Sequence, residues 1–175
     1  PPHPSELGAL ARGLVVSLLV SIVVAGTISF FDDDERYDGD GAQLSTRLYL
    51  AFSVGSVLSR PTAVVVRGLA PRPPSPFAIE ALSTARVAAT ALVFLVAFDA
   101  RAAPALASEG FLLALFFALS LSGGVIQTWA FQIACEACAD ADAAAEAART
   151  CNLASNAGLT IGGVVNCVLA LTLPG

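Results

Sequence analysis

The stretch GFLLALFFALSLSGGVIQTWAFQIAC, from Gly110 to Cys135, holds no Asp, Glu, Lys or Arg and exceeds the ~20 residues needed to cross a bilayer core. Similar runs extend from Leu7 to Phe31, Leu44 to Leu69, Phe77 to Phe98 and Ala147 to Leu173, separated by short polar breaks. Hydrocarbon offers no hydrogen-bond partners, so runs of this length must be helices. Leu, Ala and Val without strict two-residue alternation argue against barrel strands. Charged residues make up 13% of the chain against 56% hydrophobic and sit mostly between the runs, whereas a soluble domain would need them on its surface. The expected fold is an all-α membrane protein, a single bundle of five transmembrane helices over residues 1–175.

A count of five is awkward for a self-contained carrier, since many carriers pair two pseudo-symmetric halves around a central site. The chain has no Met and opens on Pro1-Pro2-His3-Pro4, which is expected of a cut from something longer. The reading is therefore one half of a transporter, with a missing amino-terminal bundle and the lipid bilayer as its partners. All basic residues are Arg. Arg12, Arg67, Arg72 and Arg149 fall on one side of alternating helices and Arg36, Arg47 and Arg101 on the other. This excess puts the amino end in the cytoplasm and the carboxyl end outside, in a plasma or organelle membrane.

The connections are read as turns. The net charge of −5 comes largely from Asp32-Asp33-Asp34-Glu35-Arg36-Tyr37-Asp38-Gly39-Asp40-Gly41, in which no register matches an EF-hand loop. The Pro-rich run from Pro71 to Pro76 stops one helix and starts the next. The Ala/Asp/Glu segment from Glu136 to Glu146 contains strong helix formers suited to a helix along the membrane face. Of Cys135, Cys138, Cys151 and Cys167, only the first two form a C-x-x-C pair, and the one His is His3. Neither a metal, a cofactor nor a nucleic acid is expected as ligand. No span holds a His, and no G-x-S-x-G or H-E-x-x-H occurs, so no catalytic residue is assigned.

The chemistry lies in polar residues within the spans. Arg60, followed by Pro61, has apolar runs on both sides; a guanidinium facing lipid there would cost several kcal/mol, from ~3 to over ~10, so it is expected to face a cavity or partner. Pro61 removes a backbone donor and suits a helix that bends or breaks beside a site. Ser53 and Ser56 share a face with Arg60. Ser83, Arg86 and Thr90 form a second polar face, on which Arg86 either anchors the interface or lines a cavity. The fourth run contains Gly123 and Gly124, a candidate kink or close contact, and Gln127, which either binds a polar ligand or bonds a neighbouring helix. Gly158 and Gly162 make a G-x-x-x-G packing face, while Asn152, Asn156 and Thr160 recur every four residues as a candidate pathway lining.

Four motifs carry a resemblance to a known family. Leu58-Ser59-Arg60-Pro61-Thr62-Ala63-Val64 resembles the G-R-x-x-T-A-V pattern of the eighth span of the equilibrative nucleoside transporters. Ala85-Arg86-Val87 resembles the A-R-[LV] element of their ninth, and Phe117 to Gly124 resembles the S-N-G region of the tenth. Glu146 followed by Ala157-Gly158-Leu159-Thr160-Ile161-Gly162 resembles the E-x-A-G approach and glycine face of the eleventh. The order and spacing hold across essentially the whole chain, so the resemblance implies the last five helices of a major-facilitator-like fold that carries nucleosides or nucleobases by alternating access. It also implies that Arg60 contacts ribose hydroxyls. Ser56 stands where the family has an Asp, and Gly123 where it has the Asn of S-N-G, which leaves open a carrier of another small polar solute or a non-transporting truncated subunit.

Overall fold

The computed structural model describes residues 4–31, 41–69, 73–98, 106 and 108–172. Five helices follow one another: α1 (Pro4–Thr27, continued by a 3-10 turn Ile28–Phe31), α2 (Gly41–Leu69), α3 (Pro76–Phe98), α4 (Glu109–Glu136) and α5 (Ala141–Thr172). All five are long and apolar enough to cross a membrane, and the described residues form an all-helical bundle of integral-membrane type. The acidic turn at 32–40, Arg36, Arg72, Arg101 and His3 lie outside the described residues.

Two features of the helices differ from the reading of the sequence. The Ala/Asp/Glu segment does extend a helix, and that helix is the fifth span itself, which therefore starts before Ala147: Asp140 Oδ1 accepts the Ala143 N–H at 2.7 Å, capping a helix that continues unbroken to Thr172. A side-chain acceptor at that position satisfies an end donor, and the Ala-rich turns that follow propagate the helix. α2 likewise runs through Pro61 without a break, although the Val57 carbonyl loses its usual donor there.

α1 and α4 meet at the centre, with α3 and α5 both packed on α1 and α2 packed chiefly on α4. Small residues let the backbones approach closely, which is how helices associate where lipid removes the hydrophobic drive. On the α2–α4 seam, a Cβ on Gly55 would meet the Phe117 carbonyl oxygen at 2.7 Å, and one on Gly124 would collide with Ser59. Ser120 Oγ donates to the Phe52 carbonyl at 2.6 Å, and Trp129 Nε1 to that of Ala63 at 3.1 Å. Ion pairs clip the seam at both ends, Arg47 to Glu109 at 2.6 Å and Arg67 to Glu136, so α2 and α4 run parallel. On the α1–α5 seam, a Cβ on Gly158 would lie 2.5 Å from the Val15 carbonyl oxygen and one on Gly162 2.9 Å from Ile22 Cβ. One turn on, Asn166 Nδ2 donates to the Ile22 carbonyl at 2.7 Å and occupies the space that Gly26 leaves open.

These distances separate structural glycines from neutral ones. Gly158→Val should destabilise the bundle by ~1–3 kcal/mol through overpacking against α1. Gly163→Ala, whose added Cβ meets nothing within 4 Å, should leave stability unchanged or raise it by up to ~1 kcal/mol. Unfolding of the detergent-solubilised chain by denaturant measures both.

Candidate functional site

Arg60 and Arg86 lie at comparable distances from the nearer ends of their helices, and the fold treats them oppositely. Arg86 is 5% exposed. Its Nη1 donates to the Ser17 carbonyl at 2.8 Å and to Ser17 Oγ at 2.5 Å; its Nη2 donates to Ser21 Oγ at 2.9 Å and to the Leu119 carbonyl at 2.8 Å. Four of the five guanidinium N–H donors are thereby used, joining α3 to α1 and α4. Nε is buried without a partner among the described residues. Among the described residues no carboxylate pairs with Arg86; the ion pairs there belong to Arg12, Arg47, Arg67 and Arg149.

The surroundings are built to fit this cation. Ser17, Ser83 and Thr90 are buried with it. Ser83 Oγ and Thr90 Oγ1 bond back to the carbonyls one turn earlier on α3, Ile79 at 2.8 Å and Arg86 at 2.9 Å, leaving the guanidinium as the polar group that reaches across. A Cβ on Gly123 would lie 2.6 Å from Arg86 Nη2 and 2.8 Å from Ser21 Oγ. Glycine at 123 makes room for the guanidinium, while the neighbouring Gly124 makes room for Ser59 on α2. Arg86 is an interhelical clasp satisfied mostly by serines and carbonyls, which are available inside a bundle when lipid is not, and it also lines a cavity between α3 and α4.

Arg60, read from the sequence as the buried cation, is exposed on α2 and has no hydrogen-bond or ion-pair partner among the described residues. Exposed with it are Ser53 and Ser56. The uncovered surface of α2 has two flanks, since Leu50, Val54, Leu58 and Val65 lie on the other side of the Gly55–Ser59 contact line at 3.6 residues per turn. Gln127 on α4 is half-buried and its side chain makes no hydrogen bond among the described residues. On two parallel helices, a step of about a quarter turn from the contact line in opposite senses reaches the same flank. Ser56 and Arg60 on α2 and Gln127 on α4 stand in that relation; Arg86 does not join them. On α5, Asn152, Asn156 and Thr160 are exposed, away from the α1 seam, and neither Asn side chain bonds to a described residue.

Sequence reasoning missed the acceptors Ser17 and Ser21 and the locking pair Gly26 and Asn166. Ser17 and Ser21 did offer a signal, two hydroxyls four residues apart in an otherwise Leu/Val run, which places both on one helical face.

The clasp predicts a coupling. Gly123→Ala alone should destabilise the bundle by ~1–3 kcal/mol, whereas in an Arg86→Ala background the same change should be nearly neutral. A double-mutant cycle from denaturant unfolding should return an interaction of at least ~1 kcal/mol. No family model, curated protein or solved structure matches the chain.

Proposed function

We propose that this bundle forms one wall of an aqueous passage for small polar solutes of the nucleoside class, completed by a second bundle to work by alternating access. The observation that carries the reading is the match between apolarity and burial. α1, the most apolar helix, has 50% of its most apolar stretch buried inside the bundle, while α2, the least apolar, has 17% and α5 22%. In a bundle surrounded wholly by lipid, the least covered helices would be the most apolar. Here they carry Arg60, Asn152 and Asn156 on bare faces, where contact with acyl chains costs several kcal/mol for the arginine alone. Water or a facing protein surface removes that cost.

The nucleoside class rests on the motif resemblance. Arg60 and Ser56 occupy one flank of α2, with Gln127 on the same flank of α4, an arrangement suited to hydrogen-bonding a hydroxylated solute. Ser56 in place of a carboxylate offers a neutral and weaker acceptor, which favours low affinity for ribose hydroxyls or a different polyhydroxy solute. Gly123 bears less on the substrate, because the space it leaves is filled by Arg86.

Uptake of labelled uridine and adenosine by the complete carrier tests the reading. Arg60→Ala should lower uptake by about tenfold or more, the loss of one charge-assisted hydrogen bond. Equal uptake by both proteins would remove Arg60 from the passage.

A further inference from the structure

A groove of about 370 Å³ lies between α3 and α4, on the flank opposite Gln127 and Arg60. Its walls include Ala85, Ala89, Ala118, Ser122 and Trp129, with Arg86 among them. Small side chains on both helices open a slot between larger apolar residues, and the volume lies within the range that holds a ligand. On this flank α2 presents exposed Val54, Leu58 and Val65, so the groove opens on an apolar side of the bundle, away from Arg60 and Ser56. A cation with no carboxylate partner among the described residues, its Nε buried and unbonded there, stands at the wall of an otherwise apolar slot. Such a site is complementary to a molecule with a long apolar body and one anionic acceptor.

We propose that the α3–α4 groove is a lipid-accessible binding site for a monoanionic amphiphile, a long-chain carboxylate whose chain fills the slot and whose headgroup neutralises Arg86. A weak acid of this kind can cross the interface in its neutral form and is retained as the anion beside a guanidinium. The charge of Arg86 supplies the selectivity; the alanines supply the fit. The site is independent of the passage on the other flank, so each reading can fail without the other.

Trp129 is the chain's sole tryptophan and lines the groove, which makes its fluorescence a direct reporter. The chain is reconstituted in nanodiscs of unbrominated phosphatidylcholine and titrated with 9,10-dibromostearate, or with dibromostearyl alcohol of equal chain length. The carboxylate should quench Trp129 at concentrations at least about tenfold lower than the alcohol. Arg86→Lys should retain that preference, Arg86→Gln should abolish it, and Ala118→Phe should weaken quenching by both ligands. Equal quenching by acid and alcohol in the unmodified chain would overturn the proposal, as would a preference that survives Arg86→Gln. If Arg86→Gln does not fold, the acid–alcohol comparison and the blocking effect of Ala118→Phe decide the question. Quenching undiminished by Ala118→Phe would mark annular contact and overturn the site.

Discussion

A bilayer interior cannot solvate a cation, and the arrangement of these helices follows from how that constraint is met at Arg86. The guanidinium is solvated by protein: two serines one turn apart on α1, the Leu119 carbonyl on α4, and the space left by Gly123. Hydrogen bonds to a charged group are worth about 1.5–3 kcal/mol each; three are lost if α3 separates from α1 and the fourth if it separates from α4. The polar face of α3 therefore sets the rotation of that helix, because turning Arg86 outward would place a cation in hydrocarbon. The apolar residues Val20, Val24, Val93, Val96 and Phe116 pack beside it in one contiguous core.

With α1, α3 and α4 tied at one node, the outer helices attach by seams of small residues. α2 docks on α4 through Gly55, Ser59, Ser120 and Gly124, with an ion pair at each end. α5 docks on α1 through Gly158, Gly162 and Asn166. Such seams need close backbone approach along one stripe and leave the rest of each helix uncovered. That is why the two helices richest in polar side chains end as the most exposed, each showing its polar stripe to whatever lies beyond the bundle.

The helical spans were legible in the sequence because length and apolarity alone bear on them, and four-residue spacing marked Gly158 and Gly162 as a packing face. Which arginine is buried was not legible. Arg60 and Arg86 both sit within apolar runs with hydroxyl residues at helical spacing, and only the positions of α1 and α4 distinguish them. Ser17 and Ser21 were the missing clue, visible but unreadable until α1 was known to lie against α3. The start of α5 was obscured for a different reason: its first turns are acidic and Ala-rich, so hydropathy ends before the helix does. Pro61 misleads by its reputation, since losing one donor in a helix held along its length by α4 does not break it.

The proposed passage requires that the polar flank of α2 meet water while its apolar flank meets lipid. The most direct measurement places single cysteines at Ser56, Arg60, Val54 and Leu58 in the complete protein, with the native cysteines replaced, and reacts them in membranes with a charged, water-soluble thiol reagent. Fast modification at Ser56 and Arg60 with slow modification at Val54 and Leu58 is the predicted result. Four equally slow positions would mean that the whole outer face of α2 is sealed from water, and would contradict the account.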